Sequence, residues 1–155
     1  MGLYQINKNR KLFFLIFLIL ILGILWIWIF WNDKPSEKRS VRIRSAVINA
    51  EVADTPWAQY QGLSNRASIC TSCGMLFIFP DREIREFVMR DMKFPLDIIY
   101  ISNGEIIKID TNLVPEGSNP QNIYNSGSAV DKVLEVRAGF CENNGIRVGD
   151  SVFNN

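Results

Sequence analysis

Four charged residues, Arg66, Arg90, Asp91 and Asp97, and three cysteines, Cys70, Cys73 and Cys141, are the side chains whose types and spacing could do chemistry in this chain of 155 residues. An arginine offers a planar fork that grips a carboxylate or a phosphate. Asp91 and Asp97 flank a Pro-containing turn at residues 93–95, which brings them towards each other. The four residues therefore make a candidate ligand-binding site. The plainer use of the same residues is an ion-pair network in which Asp97 pins the turn and the arginines neutralise it, because such networks also form without ligands. A hydrolase built on the two aspartates is a third use, and nothing in the sequence beyond the pair supports it.

Cys70-Thr71-Ser72-Cys73 is a C-x-x-C motif. In a cytosolic βαβ setting that spacing suggests thiol redox chemistry. Here it precedes a predicted strand in a segment expected outside the cytoplasm, where a structural disulfide between Cys70 and Cys73 is favoured and thiol–disulfide exchange is the enzyme alternative. Cys141 is the odd cysteine, and sequence alone leaves the pairing open. Zinc would need a fourth ligand beside three cysteines, and the chain contains no His, so no metal site is assigned. Copper(I) accepts thiolates and thioethers, and Met75, Met89 and Met92 fall in neighbouring predicted strands. Methionine is more often a gap-filler in a core. The missing His also removes Ser/His catalysis, and neither a Gly-rich phosphate loop nor a nucleophile elbow is present. No catalytic residue and no cofactor are expected.

The elements that must carry these residues begin with an appendage. Residues 12–31, from Leu12 to Trp31, contain no charge and match the roughly 20 residues that a helix needs to cross a bilayer. They are too long for a cleavable signal sequence and lead out through Trp26, Trp28 and Trp31 rather than small residues, so a transmembrane signal anchor is expected. Residues 1–11 form its N-terminal tail and 32–40 a polar linker. Basic residues lie on both sides of the span, but long domains translocate largely regardless of charge. The C-terminal domain is therefore expected to be extracytoplasmic, at the periplasm or cell surface. From Lys34 onward 14 Lys/Arg face 15 Asp/Glu, a balance that argues against nucleic acid as a partner.

Residues 41–155 read as many short strands. Val41 and Ile43 alternate with arginines, and residues 47–53 alternate in the same way. Thr55 as cap, Pro56 at the first turn and Gly62 at the end predict a helix of about two turns. Strands are predicted at residues 75–79, ended by Pro80-Asp81, and at 85–90, 96–101, 106–109 and 130–136, with Asn103-Gly104 as a tight hairpin turn. Residues 111–128 read as a long loop, 138–144 as a short helix, and 146–153 as a final strand pair around Gly149-Asp150. The class is mainly β: one compact sandwich or barrel-like domain with two short helices.

Ordered blocks across this domain resemble the DUF192 family. They are Glu51-Val52-Ala53-Asp54-Thr55, Gly62-Leu63-Ser64-Asn65-Arg66, Gly74-Met75-Leu76-Phe77, Met89-Arg90-Asp91-Met92, Pro95-Leu96-Asp97-Ile98-Ile99, Val133-Leu134-Glu135 and residues 145–150. The resemblance implies a compact, mostly β domain, often behind a signal sequence or anchor, without an established activity. It departs from the family pattern at Val88, where an aromatic is usual, and at Arg90, where Lys is usual. The polar positions it carries over are Arg66, Arg90, Asp91 and Asp97. The expected function is a membrane-anchored module that binds a small ligand, glycan or protein, with thiol redox or hydrolytic catalysis as the enzyme alternative.

Overall fold

The computed structural model describes the backbone of residues 2–31 and 37–154, and the side chains of Arg10, residues 12–26 and residues 37–154. The chain divides into two compact units, residues 1–35 and 36–155.

In the first unit a single helix, α1 (Gly2–Trp31), takes in both the expected tail and the expected span. Its described apolar side chains between Leu12 and Trp26 are exposed. Among the described residues no helix is long and apolar enough to cross a membrane, and the side chains of residues 27–31, the last part of the expected span, lie outside them. Linker residues 32–36 also lie outside the described residues, and the rest of the expected linker is already partly strand.

The second unit runs β1 (Lys38–Ile43), β2 (Ala46–Ala53), α2 (Pro56–Gln61), β3 (Cys73–Glu83), β4 (Glu86–Phe87), β5 (Leu96–Ser102), β6 (Glu105–Leu113), β7 (Tyr124–Asn125), β8 (Val130–Arg137), α3 (Phe140–Asn143) and β9 (Val152–Asn154). Seven strands form one sheet in the order β6-β5-β8-β3-β2-β1-β9, and β4 pairs with β7 in a small ribbon. The mainly β class and the two short helices of this domain are as expected. Two stacked sheets, however, do not occur among the described residues. The large sheet curls instead, and its edges meet through a bridge between Glu105 and Ser151, reinforced by Val152 N–H donating to the Gly104 carbonyl at 2.8 Å.

Curling gives the sheet an inner and an outer apolar face. The inner cluster draws on all seven strands, from Val41 and Ile48 through Leu76, Leu134, Ile99 and Ile106 to Val152. The outer cluster, which includes Met75, Phe77, Ile98, Tyr100 and Val133, is covered by Leu63, Met89, Met92 and Phe94 from the connections. Every residue of β5 is buried, which explains its near-continuous apolar run: a strand covered on both faces has no reason to alternate.

Most pairs in the large sheet are antiparallel, but β2 and β3 run parallel, Val52 beside Leu76. A parallel neighbour needs a crossover, and α2 with the chain that follows supplies it. Thr55 Oγ1 accepts the Ala58 N–H at 3.2 Å, Pro56 occupies the first turn and Gly62 closes the helix at φ 50°. The helix is therefore made as its sequence predicts, and it folds back over the outer face. Three expectations are corrected. β3 does not stop at Pro80-Asp81 but bulges there: Ile78 pairs with Lys132 and Glu83 with Val130, so the residues between are out of register, and a proline without an N–H costs nothing where no ladder bond is needed. Residues 85–90 form only the two-residue β4, with Met89 buried in a turn. The final strand pair is the single strand β9 against β1, because residues 146–150 turn back on themselves through Arg147 N–H to Asp150 Oδ2 at 2.8 Å.

Candidate functional site

A row of residues crosses the outer face of the sheet: Glu51 on β2, Met75 on β3, Glu135 on β8, Ile98 on β5 and Asp110 on β6, each beside the next. The carboxylates at its two ends are partnered. Arg66 grips Glu51 with both fork nitrogens, at 2.7 and 2.8 Å. Asp110 accepts from Lys108 Nζ at 2.8 Å and from the Tyr100 hydroxyl at 3.1 Å. Glu135, in the middle, is 6% exposed and has no hydrogen-bond or ion-pair partner among the described residues. Burial pushes its carboxyl up to about 8, against an opposing pull from the Arg66 charge. The same burial, with Asp110 alongside, raises the Tyr100 phenol.

Above Glu135 opens a cavity of about 490 Å3, within the range of small-molecule sites. One wall is the crossover at Tyr60, Gly62 and Leu63. The others are Phe77 and Phe79 on β3 and a strip from Ile84 through Phe87, Val88 and Arg90 to Met92. Phe87 meets Phe77 edge-on at 5.0 Å and Tyr100 at 6.3 Å, so the aromatic walls brace each other. Gly62 is favoured at its place by its backbone, because a φ of 50° disfavours a side chain. Around the mouth, Tyr60 and Ile84 are well exposed and Val88 partly so, and the exposed Trp57 stacks beside Tyr60 at 6.0 Å. Arg90 lies over the Tyr60 ring at 4.1 Å and donates to the Tyr60 carbonyl at 2.9 Å, with no carboxylate partner among the described residues. Arg85 stacks on Phe79 at 4.2 Å and pairs with Asp81, while its Nε is buried without a partner.

The four charged residues singled out from the sequence are not gathered at one point. Arg90 lines the cavity. Arg66 stands beside it, committed to Glu51. Asp91 sits in the adjoining turn at φ 54°, where its N–H donates to the Gly117 carbonyl and its own carbonyl accepts from Asn65. Asp97 projects from the opposite, inner face. There, fully buried, it accepts the backbone N–H groups of Asn112 at 2.9 Å, Gly139 at 3.3 Å and Cys141 at 3.0 Å. It pins the start of α3 to the sheet and does not form a carboxylate pair with Asp91 at the cavity.

Cys70 and Cys73 form a disulfide at the entrance to β3, and Cys141 is a free, buried thiol. Burial and the Asp97 carboxylate push that thiol well above its ordinary range. Met75, Met89 and Met92 lie in the outer cluster while Cys141 belongs to the inner one, so thioethers and free thiol do not converge. Among the described residues no group of three His, Cys, Asp or Glu side chains that could hold a metal ion comes together. A second cavity of about 370 Å3 beside Phe140 has Arg137 as its one charged lining residue.

Glu135 is the residue that sequence reasoning did not single out. In Val133-Leu134-Glu135-Val136 it looks like one more polar position of an alternating strand. Its isolation becomes visible only when β3 and β5 are known to flank it.

A curled, mainly β sheet with a crossover folded over its outer face defines the class of protein. The DUF192 family model, described as "Uncharacterized ACR", matches residues 39–153, and the chain belongs to that family. Among solved structures it is similar to a "putative transcription regulator" from Sinorhizobium meliloti, with 30% identity, a TM-score of 0.74, and 79% of this chain and 97% of that chain covered. It is also similar to a protein of unknown function from Novosphingobium aromaticivorans, with 29% identity, a TM-score of 0.67, and 76% and 84% covered. No curated protein matches.

Proposed function

We propose that the β domain is a small-ligand-binding module, that the cavity over Glu135 is its binding site, and that α1 anchors it to a membrane with the domain outside the cytoplasm. The observation that carries the binding reading is Glu135: a largely buried carboxyl with no hydrogen-bond partner among the described residues costs stability, and it stands at the floor of a cavity with an exposed apolar rim, where such features mark sites of interaction. The anchor rests on the uncharged run from Leu12 to Trp31. A role in transcription, which the description of the Sinorhizobium meliloti protein names, finds no support in a domain of nearly balanced charge. The Cys70–Cys73 bond closes the turn that leads into β3, where the Cys73 N–H donates to the Cys70 carbonyl, and this fits a structural clip better than an exchange centre.

Native mass spectrometry and ligand screening of the full chain in a non-ionic detergent test the reading, with Val88→Trp as the cavity-filling control. A saturable small molecule retained by the natural chain and lost in the folded Val88→Trp variant is the expected result. Identical behaviour of the two folded proteins across the screen refutes it.

A further inference from the structure

The charges around the cavity specify more than its shape. At the floor stands the Glu135 carboxyl, which has no hydrogen-bond or ion-pair partner among the described residues and feels only the charge of Arg66, whose fork is already committed to Glu51. At the mouth, Arg90 is a guanidinium without a carboxylate partner among the described residues. A simple anion would meet Glu135 at the bottom of the site. A simple cation would have to pass Arg90, with Arg66 and Arg85 nearby, and would leave that positive charge unmatched. A ligand that carries both signs answers both ends. Resting on the binding reading above, we propose that the cavity takes a small zwitterion whose ammonium group seats on Glu135 and whose carboxylate or phosphate is held by Arg90.

The walls suit this orientation. Phe77 and Phe87 offer ring surface near the floor, and aromatic rings attract ammonium groups strongly once water is excluded. Arg90, fixed by its stacking on Tyr60 and its bond to the Tyr60 carbonyl, presents its remaining donors as a fork rather than as a mobile point charge.

Glu135 must be ionised to take the ammonium, so binding releases a proton wherever the free carboxyl is protonated. The charged and titratable groups around it are Arg66 and Tyr60 of the crossover, Glu51 on β2, Tyr100 on β5, Asp110 and Lys108 on β6, and Arg85, Glu86 and Arg90 of the covering strip. None is a histidine. Affinity should therefore rise about tenfold per pH unit below about pH 8 and level off above it.

The same chemistry, an ammonium joined to an anion, occurs in free amino acids and in phosphoethanolamine headgroups, and the test separates them. The full chain, labelled at the methionine methyls so that Met92 reports from the cavity wall, is titrated with ω-amino carboxylates of increasing length and with phosphoethanolamine. Matched alkylamines, alkyl carboxylates and alcohols serve as controls. Zwitterions of one length should bind best. Glu135→Gln should weaken them about 10- to 100-fold. Arg90→Gln should remove their advantage over the plain amine, and Arg90→Lys should restore part of it. Preference for phosphoethanolamine would identify a phosphate-bearing headgroup as the source, and preference for the amino carboxylates a free amino acid. If alcohols or alkyl carboxylates bind as well as zwitterions and Val88→Trp blocks them, the cavity is a binding site and the zwitterion inference is wrong. If no probe shifts any methyl in a Val88→Trp-sensitive way, both are wrong.

Discussion

Replacing Glu135 by glutamine separates the cost of burying its charge from everything else in the domain, because the amide keeps the shape and cannot ionise. In the folded chain the carboxyl titrates at about 8, against an ordinary 4.5, with burial as the main cause. Below 4.5 the folded and unfolded chains both hold the proton, and the folded state keeps its full stability. Between the two values the unfolded chain ionises while the folded one does not, so the unfolded state gains. Each pH unit in that interval takes about 1.4 kcal/mol from the folded state, and the whole interval is worth on the order of 5 kcal/mol. That is a large share of the roughly 5–15 kcal/mol that holds a domain together. With no His in the chain, few other side chains titrate in this window. Urea unfolding of the full chain and of Glu135→Gln, compared from about pH 5 to about pH 9, should give similar midpoints at the acid end and a natural chain that weakens steadily against the variant as pH rises. Parallel curves would refute the reasoning, because they would mean that the folded state does not hold the proton.

Four further outcomes follow from the surrounding structure. Asp97→Ala removes the acceptor of three backbone N–H groups, those of Asn112, Gly139 and the buried Cys141, and should cost about 3 kcal/mol, whereas Asp97→Asn keeps an acceptor and should cost about half as much; chemical denaturation of both variants checks the ratio. Gly74→Ala would put a Cβ 2.6 Å from the Glu135 carbonyl and 3.2 Å from Ile48, so strand β3 must part from β8 and thermal unfolding should fall by several degrees or more. Replacing both Cys70 and Cys73 by serine removes a four-residue clip worth about 2 kcal/mol, while Cys141, buried and held protonated, should react with a thiol reagent only at the rate of unfolding.

Much of the fold could be read locally. Asn103 and Gly104 both take positive φ, 53° and 77°, as their dipeptide demands, and the capped helix at Pro56 needs only its own neighbours. What escaped was non-local. Nothing in residues 47–53 or 75–79 says that the two strands lie side by side and parallel, since that pairing depends on a crossover of some twenty residues finding the outer face. Pro80 reads as a stop because its missing N–H is local, while the bulge of β3 that accommodates it shows only in the pairing of β3 with β8. The candidate site suffered most. Arg90 was visible as a charged residue in a dense motif, and Asp97 equally so, yet they lie on opposite faces of the sheet. Glu135 was hidden because its distinction is a missing partner.

Glu135 stands on β8, one of the innermost strands of the sheet, and Phe77 and Phe79 stand on β3, whereas the other cavity walls, at residues 59–64 and 84–92, belong to segments that leave the large sheet and return to it. Floor and walls can therefore vary separately. A chain that exchanged those two segments would keep its strand ladder, its inner core and the carboxyl at the base while acquiring a cavity of different outline. Val88, where the family usually carries an aromatic, is a small instance of this freedom. Divergence of ligand choice within such a scaffold should accumulate in these two stretches, and so should the success of any attempt to redesign it.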